Sequence, residues 1–149
     1  MSERSNQIDD FLADVGWLGA ARKPLAGDAS FRRYERVSLD GRTAVLMDAP
    51  PPSEDVGPFV QLTHHLRGMG YSAPEILAES PLSGFLLLED LGDATYTNAL
   101  AGGADDVELY SRAVDLLINL HGRQDTQYLP SSVVRYSDQM LMDEAHLLV

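Results

Sequence analysis

One short stretch carries residue types able to bind and orient a phosphate, and two others stand out downstream of it. The first is Leu25-Ala26-Gly27-Asp28-Ala29-Ser30-Phe31-Arg32-Arg33-Tyr34-Glu35-Arg36-Val37. Positions 26 to 30 are small or turn-forming: Gly27 admits a backbone conformation closed to most residues, and Asp28 and Ser30 can hydrogen-bond locally to hold a turn. Small side chains such as Ala29 let backbone N–H groups approach an anion closely, and Arg32 and Arg33 add the charge that phosphates require. Taken alone, the turn reads better as an ordinary hairpin turn, and the arginines read equally well as solvent-facing. The second stretch is Ala44-Val45-Leu46-Met47-Asp48-Ala49-Pro50-Pro51-Pro52-Ser53-Glu54, and the third is Gly84-Phe85-Leu86-Leu87-Leu88-Glu89-Asp90-Leu91-Gly92-Asp93.

The elements that must position these residues follow from periodicity and turn signals. Ile8, Phe11, Leu12 and Val15 recur at helical spacing before Gly16, so a short first helix is expected, stapled to a sheet by Trp17 and Leu18. Lys23-Pro24-Leu25 enters a first strand. Asp40-Gly41 is a hairpin signal between a strand ending near Ser38 and one starting near Thr43. The proline run from 50 to 52 removes consecutive backbone donors, which predicts an extended connector. A helix over about Val56 to Met69 follows, with Phe59, Leu62 and Leu66 as its apolar face and Gly68 and Gly70 at its end. Pro74 to Ala78 starts a fourth strand. The unbroken apolar run of the fifth, Phe85 to Glu89, predicts burial on both faces. From Asp105 to His121 two adjacent rows of apolar residues predict a helix packed centrally, with Asp105 and Asp106 at its N-terminus. Residues 124–136 read as loop, and Ser137 or Asp138 caps a last helix. The predicted class is α+β.

In this order and spacing, the segments GDASFRRY, MDAPPP and GFLLLEDLGD resemble the aminoglycoside-phosphotransferase-like kinases, which share the protein-kinase fold. The resemblance implies a kinase-like N-lobe over residues 1–91, a five-stranded antiparallel sheet plus a helix, followed over 92–149 by a linker and the start of a helical C-lobe. It implies ATP as phosphate donor, with magnesium, and a small-molecule acceptor: an amino sugar phosphorylated at its anomeric hydroxyl, as in the branch of the family that works in cell-wall recycling. The turn from Gly27 to Ser30 would then cover the phosphates, and Glu89-Asp90-Leu91 would be the interlobe segment whose backbone groups meet the adenine edge. The glycine pattern of protein-kinase loops is absent. So is the usual third-strand lysine, for Met47 or its neighbour stands there and methionine cannot neutralise a phosphate. Arg32 and Arg33 are the nearest replacements, with Glu54 as a candidate partner. Successive strand residues point to opposite faces, so only one of the two arginines can serve.

The family's catalytic aspartate, its asparagine and its magnesium-binding aspartate are expected beyond Val149, and the chain alone is expected to lack kinase activity. No His-x-Asp followed by a suitably spaced Asn occurs. His64, His65, His121 and His146 form no metal-ligand spacing. Two other readings stay open: a non-catalytic nucleotide- or partner-binding module, and a kinase of the same superfamily acting on an aminoglycoside, choline or homoserine-like acceptor.

Composition narrows the classes. The 149 residues hold 11 Lys and Arg against 23 Asp and Glu, a net charge of −12. That balance argues against nonspecific nucleic-acid binding and against an anionic membrane surface. An anionic nucleotide would need a local positive site, which makes the clustering of Arg32, Arg33 and Arg36 informative. No apolar run approaches the ~20 residues that span a bilayer. The N-terminus has no secretory apolar core, and cysteine is absent. These features suggest a cytoplasmic protein.

Overall fold

A computed structural model describes residues 3–26, 30–123, 129–133 and 137–146. The chain begins with α1 (Glu3–Asp14), continues through β1 (Ala21–Pro24), β2 (Arg33–Leu39) and β3 (Arg42–Asp48), and crosses over α2 (Gly57–Gly68) to β4 (Ile76–Ser80) and β5 (Phe85–Glu89). Among the described residues three helices follow: α3 (Tyr96–Ala101), α4 (Asp106–His121) and α5 (Asp138–Ala145). The strands form one antiparallel sheet in the order β1-β2-β3-β5-β4. This is the five-stranded, helix-backed α+β arrangement of a kinase-like N-lobe.

The β2–β3 hairpin closes at Asp40-Gly41, both with positive φ, so that Leu39 pairs with Arg42. These are the signs that a two-residue turn needs to match strand twist. β5 sits between β3 and β4, which explains its composition. Phe85 and Leu87 face one way and Leu86 and Leu88 the other, and all four are buried. On the first face Phe85 and Leu87 meet Val37, Ala44 and Leu46 from the sheet and Ile8, Phe11, Leu12 and Trp17 from α1 and its exit. On the second, Leu86 and Leu88 join Met47, Ala49 and Val56, with Phe59 and Val60 of α2 packed over them. The sheet is therefore a middle layer with a helix on each side.

Polar contacts fix α1 in place. Arg4 donates through Nε and Nη2 to Asp48 Oδ1 at 3.0 and 2.6 Å, donates to the Ser83 carbonyl at 2.7 Å, and lies 4.0 Å above the Phe85 ring. Asp48 is buried, so this pairing offsets the cost of removing its carboxylate from water. Arg22 likewise ties β1 to Glu35 of β2 and Asp9 of α1.

Several sequence-based expectations need correction. Leu18 is exposed, and Trp17 alone staples α1. Residues 51–53 turn, with the Glu54 N–H bonded to the Pro50 carbonyl at 3.2 Å, because the chain must double back to lay α2 on the sheet. The covered face of α2 is Val56, Phe59, Val60 and Thr63, whereas Leu62 is exposed and Leu66 points toward α4. α3 had no periodicity to announce it. Its signal is Thr95, whose hydroxyl accepts from the Asn98 N–H as an N-cap. β4 carries a bulge between Ile76 and Ala78, so these two face opposite sides and Leu77 is left exposed. α4 is not packed centrally: none of its residues is buried. The Asp105 cap holds, accepting from the Glu108 N–H, and Ser137 caps α5 in the same way.

Candidate functional site

The alternation of β2 divides the arginines between the two faces of the sheet. Arg33, Glu35 and Val37 point toward α1; Tyr34 and Arg36 point toward α2. Arg33 lines a shallow cleft with Arg4, Arg22 and Asp48 on the α1 side. Arg32 precedes the strand and turns the other way. Its Nε donates to Glu54 Oε2 at 2.9 Å, and the Phe31 N–H reaches the second oxygen of that carboxylate at 3.1 Å. Partial burial works against the charged guanidinium, but hydrogen bonds to Glu54 and Tyr34 outweigh it and hold Arg32 more firmly protonated than usual.

The anticipated phosphate-covering turn is described only at its end. Gly27, Asp28 and Ala29 lie outside the described residues. Ser30 Oγ accepts from the Arg32 N–H at 3.1 Å, which shapes the approach to β2. Met47, at the position where a strand lysine is usual, is 0% exposed between Leu86, Val56 and Tyr34. The thioether fills the core and offers nothing to an anion. The charge near this position comes from Arg32, paired with a carboxylate just before α2.

The opposite end of the α2 face is built around the exit of β5. Arg36 pairs across the sheet with Val45, and Val45 with Leu88, so one row of residues leads from β2 to the segment at 89–93. The Arg36 guanidinium forms ion pairs with both Asp90 and Asp93. Hydrogen bonds from Arg36 hold both carboxyls below the usual aspartate range, and the Gly92 N–H adds to this at Asp90; Asp93 and Asp90 in turn raise Arg36 above its ordinary value. Leu91 is exposed. Glu89 accepts from the Glu75 N–H at 3.0 Å and faces Arg67, away from Arg36. The structure thus sets Arg32 and Arg36 toward the α2 side of the sheet, with Asp90 held against Arg36, and leaves Arg33 on the other side.

Arg32 and Arg36 are four residues apart, about 13 Å along an extended strand. Between them Tyr34 and Val45 are only half-buried, an apolar strip beside α2. A flat apolar strip with a cationic end and a backbone edge at the other end suits a molecule with a planar base and a charged tail. Sequence reasoning singled out residues 89–91 but gave Arg36 no role beside them. The signal was present in the i, i+2, i+4 spacing of Arg32, Tyr34 and Arg36. Among the described residues no cluster of three or more His, Asp or Glu could hold a metal ion. No helix among them is long and apolar enough to cross a membrane.

Comparison with known proteins agrees with this architecture. The chain is 44% identical over 124 residues to an N-acetylmuramate/N-acetylglucosamine kinase of Pseudomonas aeruginosa, an alignment covering 83% of this chain and 35% of that protein. It is 37% identical over 145 residues to the kinase of the same name from Pseudomonas putida, covering 95% and 41%. With the Caulobacter vibrioides kinase the identity is 33%, over 80% of this chain and 40% of that protein. The chain spans about two fifths of the length of these relatives. The profile of the APH phosphotransferase enzyme family matches residues 21–144, from the first strand through the last helix, and the chain belongs to that family.

Proposed function

We propose that this chain is the nucleotide-binding part of an ATP-dependent amino-sugar kinase, one that moves the γ-phosphate to the anomeric hydroxyl of N-acetylmuramate or N-acetylglucosamine in cell-wall recycling. Residues 1–91 form the nucleotide lobe in this reading and 92–149 open a helical lobe. The observation that carries it is that Arg32, paired with Glu54, and Arg36, paired with Asp90, both lie toward the α2 side of the sheet. The names of the relatives supply the acceptor class.

ATP would lie along the α2 side, its base at the backbone of Glu89 to Leu91 and its phosphates toward Arg32. Arg32, preorganised by Glu54, would neutralise phosphate charge where the strand offers only Met47. A fixed guanidinium does this without reorganising at the moment of transfer. Magnesium normally accompanies the nucleotide in such transfers; among the described residues no three His, Asp or Glu side chains are grouped to hold it. The acceptor's general base is assigned to no residue of this chain, and the chain by itself is inactive in this reading. A cytoplasmic setting fits, since ATP and recycled sugars meet there.

The test is ATP consumption by the intact protein that carries this chain, with N-acetylmuramate, N-acetylglucosamine, an aminoglycoside, choline and homoserine as acceptors. Sugar 1-phosphate is the expected product. Turnover only with another acceptor overturns the sugar assignment, and turnover with none overturns the kinase reading. Arg32→Ala should lower kcat/KM for ATP on the order of 10–100-fold, as for a lost charge-assisted hydrogen bond of ~1.5–3 kcal/mol. Arg33→Ala, on the α1 face, should leave it near the parent value.

A further inference from the structure

We propose that Arg36 is a positioning residue for the base end of the site, clamping the 90–93 segment to the sheet so that its backbone presents a fixed edge to adenine. This rests on the nucleotide-site reading above and adds a residue and a role to it.

One guanidinium makes four hydrogen bonds to this segment. Nε and Nη2 donate to the two oxygens of Asp90 at 2.8 and 3.1 Å, and Nη1 and Nη2 donate to the two oxygens of Asp93 at 3.0 and 2.9 Å. Such double forks fix direction as well as distance. The loop is held inside this frame too. Asp90 Oδ1 also accepts from the Gly92 N–H at 3.0 Å, while the Asp93 carbonyl accepts from the Thr95 N–H and the Asn98 side-chain amide at 2.8 and 2.7 Å. Arg36 therefore sets the path of the chain from the end of β5 into the cap of α3.

Main-chain recognition of a base edge needs this kind of fixing. Hydrogen bonds weaken steeply as their angles open, and a loop free to rotate its peptide planes would lose discrimination before it lost all affinity. Arg36 need not touch the nucleotide, because four of its five N–H donors are used on the two carboxylates.

The prediction separates the base from the phosphates. Equilibrium binding of ATP and of inorganic tripolyphosphate is measured on the intact protein and on its Arg36→Gln, Arg36→Lys and Arg32→Ala variants. Arg36→Gln should weaken ATP about tenfold, the equivalent of one or two hydrogen bonds, and leave tripolyphosphate unchanged. Arg36→Lys, which keeps the charge but not the fork, should recover part of the loss. Arg32→Ala should weaken both ligands. Unchanged ATP binding in Arg36→Gln overturns the proposal, and so does an equal loss for both ligands, which would mark a general loss of structure. Failure of the unsubstituted protein to bind either ligand overturns the nucleotide-site reading itself, and that result appears before any variant is compared.

Discussion

β5 and α4 are both rich in large apolar residues, and they meet opposite fates. Phe85, Leu86, Leu87 and Leu88 are at most 4% exposed, whereas Val107, Tyr110, Val114, Leu116, Leu117 and Ile118 of α4 are each at least half exposed. β5 has β3 and β4 at its edges, α1 on one face and α2 on the other. α4 touches the rest chiefly through polar anchors. Tyr71 donates to Asn119 at 2.6 Å, and Arg123 donates to the Tyr71 hydroxyl and the Met69 carbonyl at 3.1 and 2.9 Å. The apolar side chains beside these anchors, Leu66 on one side and Leu116 and Leu120 on the other, line an open cavity. An apolar pattern states that a surface needs covering; whether the chain also holds the cover is a property of topology.

The sharpest way to break this contrast is to truncate one residue on each side of it. Leu46→Ala, in the middle of β3 and fully buried, should cost about 2–5 kcal/mol of unfolding free energy, since the cavity adds to the lost transfer term. Ile118→Ala should stay within about 0.5 kcal/mol, as for a surface position. Denaturant titrations of the two variants check this. A large loss for Ile118→Ala would show that α4 is covered in solution. The same exposed face should make the chain bind a hydrophobic dye and self-associate.

A second prediction tests how tightly the sheet region is closed. Gly84 has φ +72°, and a Cβ there would lie 2.0 Å from the Ala49 carbonyl oxygen. The Gly84 carbonyl in turn accepts from the Ala49 N–H at 2.9 Å, stitching the β4–β5 turn to the end of β3. Gly84→Ala should cost about 3 kcal/mol, combining backbone strain with displacement of that stitch. A thermal melt close to the parent's would mean that the turn relaxes without disturbing β3.

The third concerns the join between the two regions. The folded Asp90 and Asp93 carboxyls are depressed by Arg36, so their contribution is fully present above the unfolded value of 3.8 and is lost as the pH falls through the folded value. The melting temperatures of the parent and of an Asp90→Asn, Asp93→Asn variant should differ near neutral pH and converge in acid below 3.8. A gap that persists unchanged in acid would remove the bridge as its cause.

The sheet region was largely legible in the sequence because its signals are local and self-consistent. Asp40-Gly41 defined a hairpin, the β5 run defined a doubly covered strand, and Ile8, Phe11 and Leu12 defined the face of α1. What was missed depends on three-dimensional partners. The bulge at Leu77 reverses a period that composition cannot reveal, and on α2 it is Thr63 rather than Leu62 that lies inside. At the site, the Arg32–Glu54 pairing followed from charge and order along the chain. The Arg36 clamp did not, because Asp90 and Asp93 are 54 and 57 residues away and only the β2-β3-β5 order brings them near.

The smallest expected effect isolates α4 from the sheet. Asp105 accepts from the Glu108 N–H at 2.8 Å, and Asp106 and Glu108 place further negative charge in the first turn. In a helix with a covered face such a cap is one contribution among many. In α4 tertiary packing supplies little, so local terms carry most of the helix. Asp105→Ala should therefore cost about 1 kcal/mol within α4, through the lost cap and its interaction with the helix dipole. The loss should appear as faster amide hydrogen exchange over the first turns of α4, with exchange in β3 and β5 unchanged, because opening the helix does not require opening the sheet. Equal acceleration in both regions would mean that sheet and helix unfold as one unit, and that the polar anchors at Tyr71 and Arg123 couple them more strongly than their number suggests.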